Sequence, residues 1–428
     1  MVVAYIKPKY LLLIFFVITI ITAIVSGCST STKDMNTANT TRAATVVWQN
    51  TYGGPGYDSG NAVIRTNDGG YAITGSMTIV RDNETSFYNV SKMFLVKTDS
   101  SGKELWNQTY GDGLGNGYSA VQTSDGGYAI LGYSNSDSNA IYLVRTDANG
   151  HEIWNTTYGG YQNCITRSLA QTSEGGYLIT GGTGRTLIEL NVLLIKIDAN
   201  GHMVWNKTFE SGYGNSVMPL ADGGYAIAAS AFVQPYIIRT DTRGNELWNK
   251  TYSPAPLTTS QTTSTSNSLS SAVQTSDGGY VVSGTTVNYS TAVNSSNGTT
   301  INIASQLFLI KTDDEGTQQW SRTYDSPGTY QGFSVVQADD DGYVILGCGN
   351  NITSINIKTM NLSTMVISKL YLVKTDKSGN EVWNTTYGGD AIYKVSSMVK
   401  SGDGGYVITG SKSRYILGDQ DIFLVKIA

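Results

Sequence analysis

Apolar and polar positions alternate with a period of two along most of the chain after residue 44, and glycine-rich turns separate the apolar runs. This alternation is typical of β-strands that bury one face. Two turn sequences recur. Asp-Gly-Gly supplies the positive φ angles of a tight hairpin, and Asp-x-x-Gly fits a type I turn closed by a left-handed glycine. The pattern predicts a repeated unit of four antiparallel strands, which we name A, B, C and D in chain order.

The unit occurs seven times, as in SAVQTSDGGYAILG (119–132) for strands A and B and IYLVRTDANGHEIW (141–154) for strands C and D. Each copy has one tryptophan on strand D, and these tryptophans are about 56 residues apart, a period that favours propeller blades. The tryptophan and the residue four positions later share a strand face, so we expect both to fill the gap between neighbouring blades. The seven are Trp48, Trp106, Trp154, Trp205, Trp248, Trp320 and Trp383.

The two ends of the repeat region complement each other. The segment TVVWQNTY (45–52) is a strand D without the strands that should precede it, and FLVKIA (423–428) is a strand C without a following strand D. A ring whose last blade takes one strand from each end leaves only short, protected sheet edges. We therefore predict an all-β fold, a seven-bladed β-propeller over residues 45–428 with four antiparallel strands per blade, closed by the N-terminal strand.

Residues 1–27 have the features of a lipoprotein-type signal peptide. Lys7 and Lys9 precede an apolar run at 11–25, which is shorter than the roughly twenty residues that span a bilayer as a helix. The sequence Val-Ser-Gly-Cys ending at Cys28 resembles a prokaryotic lipobox, which implies lipid attachment at Cys28. The alternative is an uncleaved N-terminal anchor.

Residues 28–44 are rich in Ser, Thr and Asn and have no apolar period, which predicts a flexible tether. With either form of anchor, the propeller would lie on the extracellular face of the cell membrane.

The repeat is similar to two known groups of propellers. The phrase aliphatic-x-Asp-x-x-Gly-x-x-Trp resembles the tryptophan-docking repeat of quinoprotein dehydrogenase-like propellers. The whole unit, with DGGY and WNxTYGG behind a lipoprotein-type N-terminus, resembles cell-surface propeller repeat proteins of methanogenic archaea. The resemblance implies the fold and a surface location. The adjacent Cys-Cys pair of true quinoproteins has no counterpart in this sequence, so no cofactor is carried over.

Composition excludes several classes of protein. Aromatic residues make up 10% of the 428 residues, which argues against disorder, and a net charge of −5 argues against nucleic-acid binding. Cys164 and Cys348 lie in different repeats, so we expect both to be unpaired. The only histidines, His151 and His202, occupy the same turn position and are interpreted as solvated turn residues, so no metal site is predicted.

Strand order assigns the connections to two faces. The A–B and C–D turns form a uniform face, where strand C ends in Lys or Arg in every unit and acids follow in the turns. We expect ion pairs and turn caps there. The predicted A–B turn acids are Asp68, Asp125, Glu174, Asp222, Asp277, Asp341 and Asp403.

The B–C and D–A connections form a variable face, which includes long predicted loops near 76–92, 284–305 and 348–368. Insertions concentrated on one face of a repeat fold commonly mark the binding face. Six D–A loops contain a tyrosine at a similar place, and a tyrosine suits recognition of glycan or protein. The alternative is that these rings fill the mouth of the central channel. They are Tyr57, Tyr118, Tyr161, Tyr213, Tyr330 and Tyr393.

We interpret the protein as a monomeric surface propeller that binds glycan or protein partners at the cell envelope and performs no chemistry. One alternative is a polysaccharide-active hydrolase or lyase, in which two D–A loop carboxylates flank a sugar. Another is a purely structural envelope protein. The candidate acids are Asp58, Asp112, Glu210, Asp325 and Asp390.

Thirteen Asn-x-Ser/Thr sequons also occur, and five of them follow the strand D tryptophan directly, at Asn107, Asn155, Asn206, Asn249 and Asn384. Either glycosylation or an ordinary polar outer-strand residue explains these five; sequons in the long loops are the better glycan candidates.

Overall fold

The computed structural model describes residues 45–83, 86–134, 140–159, 163–186, 189–209, 211–231, 234–254, 264–294, 298–326, 329–350, 354–356, 368–414 and 418–428. Every regular element in these ranges is a β-strand. Within them there is no helix with the length and hydrophobicity needed to span a lipid bilayer. The predicted signal peptide and tether lie outside the described residues, so both stay predictions.

The strands follow the repeat closely. The first half of the chain contains β1 (Val46–Tyr52), β2 (Ser59–Arg65), β3 (Tyr71–Asn83), β4 (Ser86–Thr98), β5 (Glu104–Tyr110), β6 (Gly115–Gln122), β7 (Tyr128–Ser134), β8 (Ile141–Thr146), β9 (Glu152–Tyr158), β10 (Ile165–Gln171), β11 (Tyr177–Gly184), β12 (Leu190–Ile197), β13 (Met203–Phe209) and β14 (Tyr213–Pro219). The second half contains β15 (Tyr225–Ala231), β16 (Gln234–Thr240), β17 (Glu246–Thr251), β18 (Ser264–Gln274), β19 (Tyr280–Asn294), β20 (Gly298–Thr312), β21 (Gln318–Asp325), β22 (Thr329–Gln337), β23 (Tyr343–Asn350), β24 (Ser354–Asn356), β25 (Lys369–Thr375), β26 (Glu381–Gly388), β27 (Ile392–Lys400), β28 (Tyr406–Ser413) and β29 (Gln420–Ile427).

These strands form seven antiparallel sheets, which are the predicted blades. In order A to D, blades 1 to 7 are β2-β3-β4-β5, β6-β7-β8-β9, β10-β11-β12-β13, β14-β15-β16-β17, β18-β19-β20-β21, β22-β23-β25-β26 and β27-β28-β29-β1. The A strands of neighbouring blades contact one another in an unbroken cycle that returns from β27 to β2. Because the cycle closes, strand A is the innermost strand of each blade, and the seven-bladed propeller is confirmed.

Blade 7 takes its strand D from the N-terminal side of the repeat region. Strand β1 pairs antiparallel with β29, with Trp48 opposite Lys426. The pairing continues to the ends of both strands, where Thr45 N donates to Ala428 O at 3.0 Å and Ala428 N donates to Thr45 O at 3.0 Å. Blade 7 is therefore the one blade whose C and D strands are not joined by a turn.

The hydrophobic core is divided into seven clusters, one between each pair of neighbouring blades. The cluster between blades 7 and 1, for example, packs Ile73 and Phe94 against Val407 and Leu424, all fully buried or nearly so. Burial of apolar area is the main favourable term in folding. Each blade therefore depends on both neighbours for its stability.

The tryptophan of strand D docks on the next blade, as predicted from its spacing. Trp106 of blade 1 packs against Tyr128 and the turn glycine Gly150, which both belong to blade 2. Six such Trp–Tyr pairs have ring centroids 5.9–6.5 Å apart. They are Trp48–Tyr71, Trp106–Tyr128, Trp154–Tyr177, Trp205–Tyr225, Trp248–Tyr280 and Trp320–Tyr343.

The tyrosine four residues after the tryptophan adds a hydrogen bond to the same contact. The hydroxyl of Tyr110 donates to the carbonyl oxygen of Gly150 at 2.8 Å. The same bond joins Tyr52 to Gly102, Tyr158 to Gly201, Tyr252 to Gly316 and Tyr324 to Gly379. Each of these buried hydroxyls thus has a partner, which removes the cost of leaving a polar group unpaired in a core.

The uniform face carries one ion pair per blade, between the basic residue that ends strand C and an acid of the A–B turn. The basic side chains are nearly buried and the acids are exposed; Lys97 Nζ lies 2.7 Å from Asp68 Oδ2. The pairs are Lys97–Asp68, Arg145–Asp125, Lys196–Glu174, Arg239–Asp222, Lys311–Asp277, Lys374–Asp340 and Lys426–Asp403. The hydrogen bonds from Lys426 and Ser401 hold the pKa of Asp403 at about 2.

The assignment of Asp341 to this ring is wrong, because Asp340 pairs with Lys374 in its place. Asp341 adopts a φ of 59°, the left-handed conformation that a glycine supplies in the other A–B turns. Our prediction therefore chose the acid of this A–B turn one position too late in the run of three aspartates. A short polar side chain such as aspartate tolerates this conformation better than most residues.

We expect Gly150→Ala to destabilise the propeller more than Gly126→Ala. Both glycines have a left-handed φ, of +81° and +88°, so both substitutions carry backbone strain of roughly 1–2 kcal/mol. A Cβ on Gly150 would lie 2.5 Å from the Trp106 ring, whereas one on Gly126 would have 3.9 Å to its nearest neighbour. Overpacking should add about 1–3 kcal/mol at Gly150 alone. Chemical denaturation measures both losses, and equal losses would contradict the docking contact.

Candidate functional site on the variable face

Two of the long B–C connections are hairpins and not the loops that we predicted from the sequence. Strands β3 and β4 stay paired up to Asn83 opposite Ser86, and β19 and β20 stay paired up to Asn294 opposite Gly298. The inserted residues continue the ladder because they are rich in Thr, Val and Ile, which favour strands. We call these extensions the blade-1 hairpin (71–98) and the blade-5 hairpin (280–312).

The blade-5 hairpin also receives a strand from the neighbouring blade. Within the part of the third long connection that is described, β24 pairs with β20, placing Ile355 opposite Ile301. The insertions of blades 5 and 6 therefore form one raised structure on the variable face.

Blades 2, 3 and 4 are lower than the two hairpins. Strand B has 13 residues in blade 1 and 15 in blade 5, but 7, 8 and 7 residues in blades 2, 3 and 4. We call the variable-face surface of blades 2 to 4 the low sector. Among the described residues, it lies between the two raised hairpins.

Strand A of every blade contains a β-bulge close to the variable face. The middle of strand B holds a small residue, and the bulge comes directly after the strand A residue that pairs with it. A bulge leaves one residue without a ladder partner and can re-aim its side chain. The bulged residues are Asn61, Tyr118, Arg167, Asn215, Ser270, Phe333 and Ser396. None of them is fully buried, so the bulges present side chains at the inner rim of the face.

The bulge is a common reference point in strand A, and the predicted tyrosines lie at different distances from it along the chain. Tyr118 is itself a bulged residue, and Tyr213 and Tyr57 fall at two other positions. Only Tyr330 and Tyr393 share a position, two residues before Gly332 and Val395. The predicted similarity of place is wrong, because the D–A loops differ in length and the tyrosines follow the loops and not strand A.

Tyr330 and Tyr393 lie in the core between blades. Tyr330 is fully buried, its ring centroid is 5.5 Å from that of Tyr371, and its hydroxyl has no hydrogen-bond partner among the described residues. Tyr393 is 2% exposed, and its hydroxyl donates to Asp390 at 2.8 Å. Both rings therefore fill space between blades, and the alternative expectation, that the tyrosines fill the mouth of the central channel, does not describe these two side chains.

Tyr118 and Tyr213 are half-buried in the low sector and flank Arg167, a residue that sequence reasoning missed. The Arg167 guanidinium carbon lies 5.4 Å from the centroid of the Tyr213 ring. Burial raises the pKa of Tyr118 to about 12, and the positive charge of Arg167 partly opposes this rise. The available signal was that Arg167 is the one charged residue among the seven bulged residues of strand A. The structure thus joins two predicted tyrosines with one exposed cation.

Tyr57 is the most exposed of the five predicted tyrosines that the structure describes, with 54% of its surface accessible. Its backbone is held against the blade-1 hairpin, because Thr78 Oγ1 donates to Tyr57 O at 2.7 Å. The sixth tyrosine, Tyr161, lies outside the described residues. The binding role of all six tyrosines stays a prediction.

Asp58 is fully buried and serves as a connector between the D–A loop and the blade-1 hairpin. Its Oδ1 accepts from Thr78 N at 2.6 Å and its Oδ2 accepts from Gly54 N at 2.8 Å. Burial raises the pKa of Asp58, although the two backbone hydrogen bonds work in the opposite direction. A carboxylate enclosed in this way is positioned to hold a loop.

The other candidate acids have different surroundings. Asp390 pairs with Lys412 at 2.8 Å, and this interaction lowers the pKa of Asp390. Asp325 accepts a hydrogen bond from Gln306, and Asp112 is exposed. Glu210 lies outside the described residues. Among the described residues, no group of three or more His, Cys, Asp or Glu side chains is placed to hold a metal ion.

A cavity of about 140 Å³ lies at the junction of blades 6 and 7. It is lined by Gln49, Asn50, Thr51, Tyr387, Tyr393, Lys412 and Phe423. Because no turn joins the C and D strands of blade 7, the hydroxyl of Tyr387 bonds to the side chain of Gln49 and its ring stays half-buried. Sites for drug-sized ligands measure about 300–1,000 Å³, so this cavity is too small for one.

The cysteines and histidines are placed as predicted. Cys164 and Cys348 are free, and burial raises their pKa values to about 12 and about 11. His151 and His202 are exposed turn residues whose Nδ1 atoms lie 3.1 and 3.2 Å from the aspartates that cap their turns.

We expect Asp58→Asn to lower the free energy of unfolding by about 1–3 kcal/mol at neutral pH, because an amide NH₂ would face one of two buried N–H donors. Asp112→Asn is the matched control, an exposed acid of another D–A loop, and should change the value by less than about 0.5 kcal/mol. Denaturant titration of both variants checks this difference. A neutral effect of Asp58→Asn would contradict the structural role.

Comparisons with known proteins find a family match and distant similarities to solved structures. The family model described as outer membrane protein assembly factor BamB matches residues 92–306, half of the chain. A solved structure of a protein of unknown function from Dyadobacter fermentans is 12% identical, with 90% of this chain and 99% of that chain covered and a TM-score of 0.46. Sqt1 from Chaetomium thermophilum is 9% identical, with 91% and 99% covered and a TM-score of 0.44.

No curated protein matches the chain at a significant level. The family match rests on the repeat itself, since the matched segment contains four of the docking tryptophans. The chain belongs to the family of propeller repeat proteins described by the outer membrane protein assembly factor BamB.

Proposed function

We propose that the protein is a membrane-anchored surface propeller that binds a glycan or protein partner of the cell envelope through its variable face, without catalysis. The observation that carries the proposal is the low sector, where Tyr118, Arg167 and Tyr213 lie together between two raised hairpins. Aromatic rings beside a guanidinium provide apolar stacking surface, a cation and hydrogen-bond donors in one place.

The position of the first strand supports an outward-facing variable face. Thr45 is paired with Ala428 at the end of blade 7 that carries the uniform face. A tether that ends at residue 44 therefore joins the propeller on the uniform face. If residues 1–44 anchor the chain, the uniform face is turned toward the membrane and the low sector away from it.

The surroundings of the acids support binding over hydrolysis. A glycosidase needs two carboxyl groups that reach the scissile bond from opposite sides. Asp58 is enclosed by backbone donors, and Asp390 is paired with Lys412. Both carboxylates already have partners within the fold.

We expect Arg167→Gln to weaken capture of the envelope ligand at least tenfold, because the substitution removes the cation between the two rings. The full chain, immobilised, is exposed to envelope polysaccharide and to envelope proteins, and the bound material is quantified. Lys103→Gln is the matched control, since it removes one exposed positive charge from the uniform face. Equal loss of ligand capture in both variants, or no loss in either, would contradict the assignment of ligand binding to the low sector. Release of shortened polysaccharide would instead support the enzymatic alternative.

We expect Cys28→Ser to abolish metabolic lipid labelling and to release the protein from the membrane fraction. Cys164→Ser, a substitution inside the propeller, should keep the label and the membrane location. Label retained by Cys28→Ser would refute the lipobox. An unlabelled wild-type chain of full-length mass that stays in the membrane would favour the uncleaved anchor.

A further inference from the structure

Strand D is an edge strand in each blade, and in six of the seven blades its outward face carries an exposed aliphatic residue. This residue sits at a bulge directly before the tryptophan, where strands C and D change register. Between 50% and 60% of each side chain is accessible. The residues are Val47, Leu105, Ile153, Val204, Leu247 and Val382.

The five strand D sequons lie on this same outward face. Residues two apart on a strand point to the same side. Each sequon asparagine comes two residues after the exposed aliphatic residue, and the sequon threonine comes two residues after the asparagine, so all three point outward. Asn107, Asn155, Asn206 and Asn249 are exposed, and Asn384 is half-buried. In each of these five blades an aliphatic residue, an asparagine and a threonine therefore form an outward row.

Blade 5 breaks both features together. Its strand β21 has Ser321 in place of the asparagine and Gln319 in place of the aliphatic residue. Blade 5, which has no sequon at this position, therefore has a polar residue where the five blades with the sequon expose an aliphatic one. Blade 7 lacks the asparagine, with Gln49 at that position, and keeps Val47.

The asparagine side chains are held in place by neighbours on the same strand. Asn107 Nδ2 donates to Glu104 Oε1 at 2.6 Å, and Asn249 and Asn384 make the equivalent bonds at 2.6 Å to Glu246 and Glu381. These contacts lie at the surface, so the amide nitrogen can exchange its carboxylate partner for another group at little cost.

We propose that Asn107, Asn155, Asn206, Asn249 and Asn384 are N-glycosylated and that the sugars cover the exposed aliphatic residues and the free edges of strand D. The proposal rests on the proposed function, since it needs the propeller to lie outside the membrane. The donor is a lipid-phosphate-linked oligosaccharide. The amide nitrogen forms a bond to the anomeric carbon and loses one proton, and the carbon–oxygen bond to the phosphate breaks with its electron pair leaving on the lipid phosphate.

A buried sequon provides the contrast. Asn288 begins the sequon Asn-Tyr-Ser at 288–290, but it is 4% exposed and its Nδ2 has no hydrogen-bond partner among the described residues. No space for a sugar exists at a buried amide, so Asn288 stays unmodified in the folded chain. Asn288 is one of the long-loop sequons that the sequence favoured, and its burial argues against modification at this position.

The test is intact-mass and peptide mass spectrometry of the full chain purified from its native membrane. We expect glycan on the five strand D asparagines and none on Asn288 itself. Asn107→Gln and Thr109→Ala should each remove one glycan, Thr109→Ser should keep it, and Asn288→Gln should leave the glycan mass unchanged. Unmodified strand D peptides, or glycan on Asn288, would overturn the proposal.

Two further readouts separate this inference from the proposed function. Lipid label on Cys28 together with unmodified strand D peptides would refute the glycosylation and leave the membrane anchor standing. Enzymatic release of the sugars should increase self-association in light scattering, because it uncovers apolar edge strands. Unchanged association after release would refute the covering role.

Discussion

The structure depends on one contact that is repeated around the ring, the docking of strand D on the next blade. A tryptophan lies over the turn glycine and the strand B tyrosine of its neighbour, and a tyrosine hydroxyl bonds to the same glycine carbonyl. Only glycine leaves room for the indole ring at this turn, since an added Cβ would collide with it. The apolar clusters beneath these contacts are shared between blades, so the ring is stable only as a whole.

This constraint explains why the two faces differ. The C–D turn must present its glycine, and the A–B turn must supply the acid that pairs with the nearly buried basic residue of strand C. Both turns lie on the uniform face, which therefore varies little between blades. The B–C and D–A connections and the bulges of strand A take no part in docking. The connections are free to lengthen into hairpins or to carry Tyr57, and the bulges are free to carry Tyr118 and Arg167. Freedom from packing, and not a special fold, is what makes the variable face available for binding.

The closure shows what happens where the contact is incomplete. Blade 7 has no C–D turn, because its strands β29 and β1 come from opposite ends of the repeat region. The hydroxyl of Tyr387 bonds to the side chain of Gln49 and not to a glycine carbonyl, and a small cavity lies beside this contact. Five equivalent tyrosines are buried under a turn, whereas this one is half-buried. The ring is joined here by the backbone pairing of β1 with β29 in place of a covalent turn.

The sequence by itself determined the number of blades, the strand order, the closure and the ion-paired face. Each of these features follows from local sequence patterns, such as the period-two alternation, Asp-Gly-Gly and the spacing of the tryptophans. These patterns can be recognised because they recur in every repeat. Only the tertiary structure decided which tyrosines are exposed. Tyr330 and Tyr393 look like Tyr118 in sequence, but burial depends on the side chains of the adjacent blade and on the register of the bulge. For the same reason the sequence could not join Arg167 to Tyr213, since the contact is made across two blades whose loops differ in length.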